Sequence, residues 1–186
     1  MPGRMALDFG TSNTVLAVWD DIHQEGVTLH IPDYGRQLQQ ADETISVIPS
    51  VIHYEAHDRL WVGNQVLQRN LYHSNHTLRW MKRYIINRSL IEMSIEGKSI
   101  SYRQAGSDFL TSVLLSASAE LGLNNEEIAL SVPVEAYEHY ENWLGGVAES
   151  ANLPRFRLID EPSAAALGYG AHIQPGDVYL IFDFGG

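Results

Sequence analysis

Cysteine is absent from the 186 residues, which excludes a disulfide framework, thiolate zinc sites and cysteine nucleophiles. Basic side chains are scarce: 12 Lys and Arg stand against 23 Asp and Glu, a formal charge of −11. That argues against a non-specific nucleic-acid binder, which needs a positive field. It leaves a nucleotide site open, because backbone amides and a metal ion can hold phosphate locally. No apolar run approaches the roughly 20 residues of a spanning helix, and Met1–Leu7 lacks a signal-peptide core. Neither GxxxxGKS/T nor GxGxxG occurs, which disfavours P-loop and dinucleotide folds. A soluble, cytoplasmic protein with neither nucleic acid nor membrane as partner is the expectation. With 45% hydrophobic and 19% charged residues, the chain is no disordered tail. Its length suffices for one domain with a core, or two small subdomains.

Short apolar runs at Met5–Phe9, Thr14–Trp19 and Val27–Ile31, joined by tight turns, predict an antiparallel meander. Ile48–Tyr54 and Leu60–Val62 predict two further strands. The stretch Asn64–Arg88 is mostly polar and helical in flavour, and Ile91–Tyr102 alternates as a hairpin around Glu96-Gly97. The second half is more regular. Ser107 is placed to cap a helix carrying Leu110, Val113, Leu114, Ala117 and Leu121, with Gly122 as its stop. Ile128–Val132, Phe156–Ile159 and Val178–Phe182 read as strands, and Ala136–Ala151 and Ser163–Tyr169 as helices. A meander followed by parallel crossovers implies an α/β fold, a mixed sheet with helices on its faces. The polar stretch between forms a candidate inserted subdomain. A strand followed by Gly185-Gly186 reads as a turn about to return, so a longer parent protein is expected.

Three strings carry candidate chemistry. Asp8-Phe9-Gly10-Thr11-Ser12-Asn13 puts a carboxylate at a strand end, then a glycine that lets backbone amides approach a ligand, then hydroxyls. Asp8 suits a hydrated Mg²⁺, which takes few carboxylates and keeps its waters; an ordinary hairpin turn is the plainer alternative. Phe182-Asp183-Phe184-Gly185-Gly186 repeats the device. Asp160-Glu161-Pro162-Ser163-Ala164-Ala165-Ala166-Leu167-Gly168-Tyr169-Gly170 sets two carboxylates at a strand end before an alanine-rich helix. A capped helix with acids that complement its dipole is the plainer alternative, and Asp160 reads as such a capping or solvated acid. His53 and His57 are four apart, as helical zinc ligands are, but they straddle a strand and a turn, and with His73 and His76 they do not read as a zinc site. The four tryptophans read as core or rim packing.

The strings DFGTSNT, IPSVI, MKRYI, SVPVE, DEPSAAALGYG and IFDFGG, in that order, resemble the nucleotide-binding domain of the seventy-kilodalton heat-shock chaperones, within the actin-like ATPase superfamily. The resemblance covers the first lobe of that domain. It implies a ribonuclease-H-like core, subdomain A, over 1–50 and 107–186, with a smaller α+β subdomain B inserted at 51–106. It also implies ATP or ADP with Mg²⁺ as cofactors. Asp8 and Asp183 match the acids that bind Mg²⁺ through water. Gly10, Thr11, Ser12 and Asn13 match the first phosphate loop, and Gly185 and Gly186 the start of the second. Lys82 matches the lysine that reaches the γ-phosphate, Glu161 the carboxylate near the attacking water, and Pro133 a proline that relays nucleotide state. Asp8, Lys82, Glu161 and Asp183 are thus the candidate catalytic set. The implied partners are the second lobe of the same domain, client polypeptides and co-chaperones.

One departure is Glu141, where the family has an arginine of interdomain signalling. The rival readings are a bacterial actin-like filament protein, which shares the phosphate loops, and a regulatory pseudo-ATPase. A sugar kinase of the same superfamily fits the insert and the DEPSAAALGYG string poorly. The first lobe alone is expected to fold but to bind ATP weakly and turn over negligibly.

Overall fold

The computed structural model describes residues 5–40, 43–56, 59–123, 126–134 and 138–168. In chain order the elements are β1 (Met5–Phe9), β2 (Asn13–Asp20), β3 (Glu25–Thr28), β4 (Arg36–Gln40), β5 (Glu43–Pro49), β6 (Val51–Glu55) and β7 (Arg59–Val62). Then follow α1 (Asn64–Gln68), β8 (Thr77–Arg79), α2 (Met81–Ile86), β9 (Glu92–Ile95), β10 (Lys98–Ser101) and α3 (Tyr102–Leu121). β11 (Ile128–Val132), α4 (Glu138–Ser150), β12 (Phe156–Asp160) and α5 (Glu161–Gly168) complete the series.

The main sheet has seven strands, with the path β12-β11-β1-β2-β5-β4. β1, β11 and β12 run parallel to one another, whereas β2 is antiparallel to β1. The far edge of β2 is shared: Asn13 and Thr14 pair with β5, and Ala17–Asp20 with β3. The sheet is therefore mixed, with helices against it, as expected from a meander followed by crossovers. Alternation explains β1, where Met5, Leu7 and Phe9 are buried and Asp8 is exposed. The Phe9 ring lies 5.9 Å from Phe109 of α3 and 6.0 Å from Trp143 of α4, so both helices cover that face. Smaller sheets, β7-β6-β8 and β9-β10, are built from the segment between β5 and α3.

Several sequence expectations are corrected. Ile48–Tyr54 is not one strand: Ser50 interrupts it, sending β5 to the main sheet and β6 to a smaller one. The helix expected from Ser107 begins a turn and a half earlier. Ser101 is its cap, accepting a hydrogen bond from the Gln104 amide at 3.1 Å, and Ser107 lies inside. Ala105 and Gly106, in the turns added at the start, are buried. Gly122 does end that helix, in the left-handed region at φ 63. The third meander strand is Glu25–Thr28 rather than Val27–Ile31, and β4 had no expectation at all, its Arg36-Gln37-Leu38-Gln39-Gln40 offering a single apolar residue. Asn64–Arg88 is not one helical stretch but α1 and α2 separated by β8. The strand expected at Val178–Phe182 lies outside the described residues.

Candidate functional site

The parallel register puts three strand ends at one edge of the sheet. Leu7 pairs with Leu130, so Asp8 sits beside Ser131, and the Ser131 hydroxyl donates to Asp8 Oδ1. Val132 pairs with Asp160, which brings Glu161 to the same edge one residue later. The carboxyl ends of parallel strands are where open α/β sheets bind ligands, since the chain leaves the sheet there and opens a crevice.

The turn from β1 to β2 supplies the next wall. A Cβ at Gly10 would lie 2.2 Å from the Asn13 carbonyl oxygen, so only glycine permits this turn. The loop is clamped from β5: the Ser50 amide donates to the Ser12 carbonyl at 2.9 Å, and the Ser50 hydroxyl donates to the Gly10 carbonyl at 2.8 Å. With its proton committed there, Ser50 accepts from the Thr14 hydroxyl, 2.9 Å away.

The opposite wall comes from α2. Its entry is strained, because Trp80 holds φ 57 and ψ 28, a left-handed conformation that a bulky side chain rarely adopts. That bend starts a helix whose second residue, Lys82, is turned inward. Lys82 is 8% exposed and its ammonium pairs with Glu161 Oε1. A lone lysine among basic neighbours such as Arg79 and Arg83 would by itself read as a solvated surface residue. Burial and the ion pair exclude that.

These walls enclose a cleft of about 490 Å³. Asp8, Gly10, Thr11, Ser12, Asn13, Lys82, Pro133 and Glu161 all line it, α2 adds Arg83 and Ile86, and Asn87 follows at the end of that helix. Asp183, Gly185 and Gly186 lie outside the described residues. Asp160 is the cap of α5, its Oδ1 accepting from the Ser163 amide at 2.8 Å. That contact with Ser163 holds its carboxyl below the usual carboxylate range. Among the described residues, no three His, Asp or Glu side chains gather to hold a metal directly. The one carboxylate of β1 among hydroxyls and backbone groups is a donor set for Mg²⁺ bound mostly through water.

No family model matches the chain. Among curated proteins, it is 26% identical to chaperone protein DnaK of Deinococcus proteolyticus over 206 aligned positions, covering 100% of this chain and 31% of that protein. It is equally similar, at 26%, to chaperone protein DnaK of Deinococcus radiodurans. A chaperone protein HscA homolog of Photobacterium profundum is 25% identical over 98% of this chain and 31% of its own length. The chain is a relative of the seventy-kilodalton heat-shock chaperones. It spans about a third of the length of those chaperone relatives.

Within this chaperone-like chain, two contributors to the cleft escaped the sequence reading. Ser50 stands between two apolar strands, and a lone hydroxyl at such a junction was its only signal. Ser131 is a lone hydroxyl in a buried strand, 8% exposed, and its partner is visible only once the register is known. Glu141 lies half-buried on α4. His53 is held by Thr77, whose own hydroxyl donates to the Leu71 carbonyl at 2.7 Å. The His53 Nδ1 is therefore the donor to Thr77, 2.8 Å away, and this histidine serves packing of β6 on β8.

Proposed function

We propose that the chain is the first lobe of the ATP-binding domain of a heat-shock-type chaperone. Its ribonuclease-H-like core spans 1–50 and 107–186, with subdomain B at 51–106 inserted. The observation that carries this reading is the convergence of the Asp8 strand end, the Gly10–Asn13 turn, Lys82 and Glu161 on one cleft. Phosphoryl transfer to water needs in-line positioning and charge stabilisation rather than a covalent nucleophile, and these residue types supply both.

In this reading Asp8, fixed by Ser131, holds the water shell of Mg²⁺ together with Asp183. The amides and hydroxyls of Gly10–Asn13, with Gly185 and Gly186, bind phosphate oxygens. Lys82 shifts its ammonium from Glu161 to the γ-phosphate and offsets the charge that develops there. Glu161, released from that pair, orients the attacking water and takes its proton. Mg²⁺, when bound, neutralises phosphate oxygens and aligns the leaving group. In the complete protein a second lobe closes the cleft over ATP, and closure drives client-polypeptide handling in concert with co-chaperones in the cytoplasm. The first lobe alone binds ATP weakly.

Steady-state hydrolysis of ATP by the full-length protein tests the reading. Asp8→Asn and Glu161→Gln should each lower kcat by about 100-fold or more, the usual range for loss of a positioned acid or base. Full turnover in Glu161→Gln, or no Mg·ATP hydrolysis by the wild type, would overturn it.

A further inference from the structure

Tyr140 is fully buried, and its hydroxyl finds no hydrogen-bond partner among the described residues. Buried hydroxyls are almost always paired, because an unpaired one has given up water and gained nothing. Phenylalanine would fill the same space without that cost, so the phenol oxygen asks for an explanation. The ring itself is fixed, 5.3 Å between centroids from Trp143. Its position is informative. Trp143 in turn lies 6.0 Å from Phe9, the residue after Asp8 in β1, so Tyr140 packs on the covered side of the strand ends that floor the cleft. Desolvation, followed by the negative charges of Glu161 and Asp8, pushes the phenol upward and keeps its proton on. Tyr140 is therefore a neutral donor within electrostatic reach of two carboxylates of the cleft. In the structure neither accepts from it: Glu161 Oε1 faces Lys82, and Asp8 Oδ1 takes the Ser131 hydroxyl.

We propose that Tyr140 is a positioning residue for Glu161: when phosphate in the cleft draws the Lys82 ammonium away, the Tyr140 hydroxyl takes its place as hydrogen-bond donor to the Glu161 carboxylate. The inference rests on the ATP-hydrolysing reading above. Without a replacement donor, a carboxylate that loses its cation turns toward whatever water reaches it, and the geometry of the attacking water goes with it. A donor built into the dry side of the floor holds one carboxylate oxygen and leaves the other facing the water. The hydroxyl left unpaired among the described residues is then a waiting partner.

The test compares full-length wild type with Tyr140→Phe. The nucleotide-free variant should melt no lower than the wild type, because its lost hydroxyl had no bond. The Kd for Mg·ADP and the KM for ATP should stay within about twofold, while kcat falls about tenfold, the worth of one hydrogen bond to a charged group. In wild-type protein carrying 3-fluorotyrosine at position 140 alone, the fluorine resonance should move on saturation with Mg·ADP and inorganic phosphate, and stay put with Mg²⁺ alone. An unchanged kcat, or a resonance that ignores nucleotide and phosphate, overturns the role of Tyr140 while the ATPase reading stands. A lowered melting temperature with losses in both Kd and kcat would assign the hydroxyl to structure and also overturn it. A wild type that neither binds nor hydrolyses Mg·ATP removes both, and the wild-type titration tells that case apart.

Discussion

Replacing Lys82 by methionine keeps an apolar stem of similar length and deletes only the ammonium. What remains is Glu161 with its cation gone. The side chains of the pair are 9% and 23% exposed, so the cost lies between two known limits. Breaking a fully buried pair costs about 3–5 kcal/mol, whereas a solvated surface pair is worth about 0–1 kcal/mol. Water reaches the Glu161 carboxylate in part, which places Lys82→Met at about 2 kcal/mol of lost stability. Glu161→Gln leaves an amide oxygen facing the ammonium and should cost about 1 kcal/mol. In the double variant neither charge is stranded, so its loss should fall short of the sum by about 1 kcal/mol. Urea unfolding of the four proteins, with coincident circular dichroism and fluorescence transitions, measures each stability and the coupling. A coupling below about 0.3 kcal/mol, the ordinary error of additivity, would refute the claim that these residues form an ion pair across the cleft.

Gly10→Ala forces the turn open, because the new Cβ would meet the Asn13 carbonyl oxygen at 2.2 Å; thermal melts should show about 1–3 kcal/mol of destabilisation, and titration calorimetry should show nucleotide binding lost. An unchanged melt would mean that the turn is shaped differently. Ser131→Ala removes the donor to Asp8 Oδ1, so Mg²⁺-dependent nucleotide affinity should fall about tenfold by titration, the worth of a hydrogen bond to a charged group, with little change when Mg²⁺ is chelated. An equal loss in both conditions would contradict a role through Asp8. Burial, and then the neighbouring His76, hold the His53 imidazole below its ordinary value. The unfolded chain takes up that proton near pH 6.5, so the stability from His53 is complete above about 6.5 and is lost as pH falls toward the folded value. Melting temperatures from pH 7.5 to 5 should decline, and His53→Gln should remove part of that slope; parallel curves for the two proteins would contradict it.

The legible parts of this fold are those governed by local pattern. β1 ends where its apolar alternation ends, Gly122 stops α3, and the Glu96-Gly97 turn closes the β9-β10 hairpin. What escaped the sequence was decided by partners far along the chain. Ser50 interrupts an apolar run because its hydroxyl and amide are needed at the Gly10–Asn13 turn. Arg36–Gln40 forms a strand because Glu43–Pro49 pairs with it, although its own side chains are largely polar. The cleft was legible as separate strings, and their meeting was not: Lys82 and Glu161 are 79 positions apart, and only the bend at Trp80 turns the lysine inward. Ser131 and Tyr140 carry no motif, since a hydroxyl in an apolar strand or helix becomes informative only when its partner, or its lack of one, is seen.

The central claim is that the strand-end edge at Asp8, Ser131 and Glu161 is a divalent-metal and phosphate site. Diffraction from the full-length protein crystallised with ADP, phosphate and Mn²⁺ in place of Mg²⁺ tests it directly, because Mn²⁺ marks itself by anomalous scattering. The account predicts a single strong peak one water away from the Asp8 carboxylate, with phosphate against Gly10–Asn13 and Lys82. A peak remote from this edge, or nucleotide bound with the cleft empty, would contradict it.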